Sequence, residues 1–136
     1  MRRLLAAGCV LLLAGCGGLS EADAKACENG HKLIRYALSM TAVAPEEVVG
    51  ETARAVGSRL TPVVAAANDA GVKKALKDVE STMAEFRPTP ATSAGDTFAE
   101  QWLAKTESDR LRQENVKKLD TTLRRQGNAL KEACGT

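Results

Sequence analysis

From Val49 to Phe86 the apolar residues keep a single rhythm. Val49, Ala53, Val56, Leu60, Val63 and Ala67 alternate steps of four and three, and after Asn68-Asp69-Ala70-Gly71 the same steps resume with Val72, Leu76, Val79, Met83 and Phe86. Residues at this spacing share one side of an α-helix. Helices that carry it pack lengthwise against one another at shallow crossing angles. No stretch of the chain alternates with period two for long enough to propose a strand.

The remaining segments fit the same plan. Residues 20–42 read as a helix capped by Ser20, with Glu21 and Asp23 in the first turn, where the helix dipole favours negative charge. Its buried face is expected to be Cys27, His31, Ile34, Leu38 and Thr41, widened by Leu33, Ala37 and Met40. Pro45 opens the second helix, where its missing N–H costs nothing, and the dipole accounts for Glu46 and Glu47 behind it. Pro62 is expected to kink that helix near Ser58 or Arg59, and Gly50 and Gly57 to weaken it. The third helix should stop before Pro88. Residues 87–95, with two prolines and no large apolar side chain, mark a loop. Thr97 and Glu100 form the pattern of a capping box. Phe98 and Trp102 then share a face. Lys105 to Arg110 lacks a large apolar residue, so the last helix either breaks there or runs exposed. The rhythm returns with Leu111, Val116, Leu119, Leu123, Gly127, Leu130 and Cys134. Four amphipathic helices with short connections predict an all-α fold, an antiparallel four-helix bundle.

The N-terminus follows a different logic. Met1-Arg2-Arg3 is charged, Leu4 to Leu13 is apolar, Ala14 and Gly15 are small, and Cys16 follows at once. Ten apolar residues are too few for a spanning helix, which needs about 20, and match the core of a secretory signal. Leu13-Ala14-Gly15-Cys16 resembles the lipobox of bacterial lipoproteins, and the resemblance covers residues 1–16. It implies that residues 1–15 are a signal peptide removed between Gly15 and Cys16, and that Cys16 carries a covalent diacylglycerol and anchors the chain. It also implies a location at the cell membrane on its extracytoplasmic face. Residues 16–19 would then be the lipidated cysteine and a short tether, and residues 20–136 the helical bundle domain. One acyl chain binds a membrane only marginally, whereas two or three on one cysteine release very slowly.

That compartment sorts the other cysteines. Cys9 leaves with the signal. Cys27 and Cys134 remain as an even pair in an exported chain, which reads as a disulfide that closes the bundle. An even number of helices brings the two chain ends together, as that bond requires.

Charge excludes one class of partner. The full sequence has 19 Lys and Arg against 17 Asp and Glu, but Arg2 and Arg3 belong to the signal, and the remainder carries 17 of each. The basic tilt is a targeting feature and gives no reason to expect nucleic acid.

Catalytic patterns do not emerge. Cys27 and His31, four residues apart, could start a metal site with Cys134 and a carboxylate, yet no paired Cys-x-x-Cys or His-Glu-x-x-His spacing supports one. A cystine beside a partly buried histidine is the preferred reading, with no metal and no cofactor beyond the lipid on Cys16. There is no Gly-x-Ser-x-Gly elbow, and no enzymatic activity is expected. The aromatics beyond Cys16 are only Tyr36, Phe86, Phe98 and Trp102. In so aromatic-poor a core Trp102 reads first as the main space-filler. The second reading makes Trp102 and Phe98, next to the 87–95 loop, a partner-contact patch. The expected function is a small envelope lipoprotein acting as a non-catalytic binding module, with an envelope protein or a cell-wall polymer as partner. The alternatives are a structural or membrane-active amphipathic lipoprotein, or a small-ligand or metal carrier.

Overall fold

The computed structural model describes residues 18–92 and 95–136. Residues 1–15, which the sequence leads one to expect as a signal peptide, Cys16 and Gly17 lie outside the described residues, as do Ser93 and Ala94 of the loop. The described residues contain four helices and no strand: α1 (Glu21–Val43), α2 (Glu46–Ala66), α3 (Ala70–Glu85) and α4 (Phe98–Ala133). α1 and α3 each border α2 and α4 along their lengths, while the diagonal pairs α1–α3 and α2–α4 touch less. This is the antiparallel four-helix bundle that the apolar rhythm predicts.

Three of the four helices start where a side chain answers their free amides, and α2, which begins after Pro45, starts without one. Ser20 Oγ accepts the Asp23 N–H at 3.1 Å. Asp69 Oδ1 accepts the N–H groups of Gly71 and Val72 at 2.9 and 3.0 Å. Thr97 and Glu100 complete the expected capping box at the head of α4. Pro45 is the N-cap of α2 rather than its first residue, a one-residue difference of the kind helix ends allow. α2 continues past Pro62 to Ala66. Pro62 and Ser58 are both exposed, so water can reach the carbonyl that the proline leaves without a donor.

The core is built from the four-three stripes. Leu60, Val72, Leu76, Val79, Met83, Leu123 and Leu130 are fully buried, and Val49 and Val56 nearly so. On α1 the buried line differs from the expected one. Asp23, Ala26, Cys27, Gly30, Ile34 and Ala37 are buried, whereas His31, Leu33, Leu38, Met40 and Thr41 are only half-buried at its edges. The reason is Gly30. A Cβ there would overlap Leu76 Cδ2 of α3 and lie 3.0 Å from Leu130 Cδ2 of α4. The small residues are what let α1 close on its neighbours, and the large ones flank the contact.

Cys27 and Cys134 are bonded, with sulfurs 1.99 Å apart and Cα atoms 6.1 Å apart. Both are buried. The bond ties the start of α1 to the end of α4 and defines a disulfide end of the bundle. The turn between α2 and α3 lies at the same end, held by Asp23. Its Oδ1 accepts the backbone N–H groups of Asn68 at 2.6 Å and Asp69 at 2.9 Å.

α4 does not break between Lys105 and Arg110; it runs as one helix of 36 residues, against 23 in α1. At 1.5 Å per residue that is about 54 Å against about 35 Å. Its last turn is pinned to α1, so the surplus falls at the opposite end, beyond the other three helices. There Phe98 and Trp102 are 83 % and 59 % exposed. Trp102 is therefore not the filler of the core. The interior is closed by aliphatic side chains, with Phe86 as its buried aromatic.

Candidate functional site

The far end of the bundle is where α1 stops, α2 begins and α4 begins. The large exposed apolar side chains among the described residues are Tyr36, Val43, Val48, Phe98, Trp102 and Leu103. Val43 closes α1 and Val48 is in the first turn of α2, while Phe98, Trp102 and Leu103 head α4, farther out along its surplus length. Phe98 and Trp102 are one turn apart and Leu103 adjoins them. Aromatic side chains exposed in this way are the usual anchors of binding surfaces.

A strap of chain shapes the site. Between α3 and α4 the described residues 86–92 and 95–97 run along α4, with Arg87 beside Asn115, Thr92 beside Ala104 and Gly95 beside Gln101. Pro88 lies over α2 at Gly50, where a Cβ would stand 2.7 Å from the proline Cγ. The glycine that reads as a weakness of α2 is the seat for this ring. Further along, Thr92 Oγ1 donates to the Ala104 carbonyl at 3.5 Å, and Gln101 Nε2 donates to the Gly95 carbonyl at 3.2 Å. Ser108 of α4 is buried.

Glu46 joins strap, α2 and α4. Its side chain is buried. Oε1 accepts from Thr89 Oγ1 at 2.9 Å and from Asn115 Nδ2 at 2.5 Å, and Asn115 also donates to the Arg87 carbonyl at 2.9 Å. Arg112 approaches Glu46 Oε2 to 3.9 Å, too far for a hydrogen bond, and Glu47 to 3.6 Å. The sequence reading assigned Glu46 and Glu47 one role at the helix dipole. Glu47 is exposed and can keep it, whereas Glu46 is a cross-link. Two adjacent glutamates offer no sequence signal that tells them apart.

Charged groups on α4 beyond the bundle pair along the helix. Arg110 bridges Glu107 and Glu114; the hydrogen bond from Arg110 holds the Glu107 carboxyl below its usual range. At the other end Asp23 is held below the usual carboxylate range, first by the Ser20 hydroxyl and then by the Asp69 amide, against the opposing effect of burial.

The disulfide removes Cys27 and Cys134 from the metal site imagined around Cys27 and His31. Both sulfurs are spent on each other, and a metal needs a thiolate. His31 is half-buried and borders a groove with Glu28, Arg35, Lys131 and Thr136. Burial lowers its pKa first, and the neighbouring charges of Arg35 and Lys131 lower it further. Among the described residues no three His, Cys, Asp or Glu side chains stand close enough together to hold a metal ion. No described helix is long and apolar enough to cross a membrane.

Of the residues singled out in the sequence, Cys27 and Cys134 come together, Phe98 and Trp102 stand side by side in solvent, and Cys16 is outside the described residues. Leu103 adjoins Trp102 and enlarges the apolar surface, though nothing in the sequence singles it out. The missed signal was the length of α4, which exceeds any partner it could pack against. No family model matches the chain, and neither a curated protein nor a solved structure matches it.

Proposed function

We propose that the chain is an envelope lipoprotein, anchored by diacylglycerol on Cys16 to the outer side of a cell membrane, and that it acts as a non-catalytic binding module. Its working surface is the end of the bundle opposite the tether. The observation that carries this reading is the exposure of Phe98, Trp102 and Leu103 on the part of α4 that runs past the other helices, while Ser20 and the cystine mark the end nearest Cys16. An anchor at one end and an apolar, aromatic tip at the other suit a protein that reaches out to a partner. An envelope protein offering an apolar groove fits that tip better than a cell-wall polymer, because the tip is richer in hydrocarbon than in hydrogen-bonding groups.

The membrane-active alternative needs the apolar stripes to face lipid. Leu60, Leu76, Met83, Leu123 and Leu130 instead face one another at full burial. A carrier of small ligands would need that same interior to be open.

Two measurements test the proposal. Mass spectrometry of the native product should find it beginning at an acylated Cys16; a free thiol there behind an intact Met1 overturns the anchor. A photo-crosslinker at position 102 on intact cells should capture one dominant protein, and Phe98→Ser should abolish the adduct. Capture that is diffuse, or unchanged by Phe98→Ser, overturns the tip as the working surface.

A further inference from the structure

The strap between α3 and α4 reads Arg87-Pro88-Thr89-Pro90-Ala91-Thr92 and enters α4 at Asp96-Thr97. Hydroxyl residues set among prolines and small side chains are the composition of O-glycosylated segments. The structure separates the described hydroxyls of this strap by what each is doing. Thr89 is half-buried, its Oγ1 donating to Glu46 at 2.9 Å. Thr97 caps α4, its Oγ1 donating to Glu100 Oε2 at 2.8 Å and accepting the Glu100 N–H at 3.3 Å. Thr92 is exposed, and its one bond, to the Ala104 carbonyl, is 3.5 Å long. At that length little is lost when the hydroxyl is taken for something else. Its neighbours Ala91 and Ala104 put no bulk in the way.

Beside Thr92 lies a groove of about 240 Å³ formed with Gln101, Lys105, Ser108, Asp109 and Arg112. Apart from the two alanines its lining consists of hydrogen-bonding side chains, donors and acceptors both. A substituent rich in hydroxyls, joined to Thr92, would find partners there that an apolar group would not.

We propose that Thr92 is a site of O-glycosylation that accepts a hexosyl group from an activated sugar-phosphate donor, transferred by a separate enzyme. The Thr92 hydroxyl oxygen bonds to the anomeric carbon, the bond from that carbon to the phosphate oxygen breaks, and the hydroxyl proton leaves with the phosphate. The inference rests on the exported, membrane-anchored reading above. The attached sugar lies in the Gln101–Asp109 groove, covering the strap and the α4 backbone under it.

The test is peptide mass spectrometry of the full chain purified from the membranes of its own host. The peptide between Lys77 and Lys105 should carry one or more hexosyl increments at Thr92, and Thr92→Val should lose them. A lipidated Cys16 beside a bare strap peptide overturns the glycosylation and leaves the anchor standing. A bare strap beside an unmodified Cys16 overturns both. Sugar that persists in Thr92→Val overturns the site. In a second readout, enzymatic removal of the sugar should increase proteolytic nicking between Pro90 and Thr97; unchanged nicking overturns the placement in the groove.

Discussion

Removing the cystine with Cys27→Ala and Cys134→Ala together should cost the domain much of its stability. The two residues are 107 apart in sequence. In the chain-entropy treatment, cross-linking so long a loop restricts the unfolded chain by an amount worth about 4.8 kcal/mol at 25 °C. A domain of this size has only about 5–15 kcal/mol in all. Unfolding entropy near 2 cal/mol/K per residue, over roughly 115 residues, converts that loss into a fall in Tm of about 20 °C. Two effects change the figure in opposite directions. Residual compactness of the unfolded chain lowers it, and loss of two buried sulfurs raises it. The assay is thermal unfolding followed by helical circular dichroism, on a soluble form lacking residues 1–17, with and without the two substitutions. The parent should show the two-hydrogen mass deficit of a cystine. A fall of less than about 5 °C, with that deficit present, would refute the entropic reasoning. Two free thiols in the parent would refute the bond itself.

Leu76→Ala empties the place where α3 meets Gly30 and Leu130, and should destabilise by about 2–5 kcal/mol in chemical denaturation; a loss below 1 kcal/mol would mean that the site collapses freely. Asp23 has a folded-state pKa below its ordinary 3.8, so its contribution is full above that value and is lost as pH falls through the lower, folded one. The stability of Asp23→Asn should accordingly fall less steeply than the parent's below about pH 4, and parallel acid limbs would count against the role given to this carboxylate. Thr97→Ala removes the cap of a segment that touches none of the other helices, so amide exchange should quicken over residues 98–103 while Tm stays constant. Trp102→Ser should also leave Tm within about 1–2 °C, since surface substitutions of this kind change stability by no more than about 0.5 kcal/mol; a drop matching a buried tryptophan, about 3–5 kcal/mol, would restore it to the core.

What the sequence revealed and what it hid divide along physical lines. The stripes of α2 and α3 were legible because large apolar residues at fixed spacing have one low-energy use. The caps at Ser20 and Thr97 were legible because they act within three residues of themselves. On α1 the expected Cys27, Ile34 and Ala37 are buried, but Ala26 and Gly30 were not legible, because their value lies in the bulk they lack. Glu46 and Asp23 were assigned to the nearest explanation, a helix dipole, while their partners stand 43 to 69 residues away in sequence. Trp102 was misplaced for a related reason. Scarcity of aromatics argues that the core needs it, but only the relative lengths of α1 and α4 show that no core reaches it.

That surplus of helix needs its own physical account, because an isolated helix of a dozen residues is marginal in water. The costly step is nucleation, and α4 avoids it: the exposed segment grows from turns already fixed by Leu119, Leu123 and Leu130 against the bundle. Propagation then has to be sustained residue by residue. The capping box at Thr97 and Glu100 closes the free amides at the tip, Arg110 spans Glu107 and Glu114 on the surface, and the strap bonds to Ala104 and Gln101 from the side. None of these supports needs Phe98, Trp102 or Leu103, whose side chains are left in water at a cost in solubility and no gain in folding. A segment reinforced at three places, and yet carrying apolar groups that reinforce nothing, has the stiffness that the proposed binding role requires.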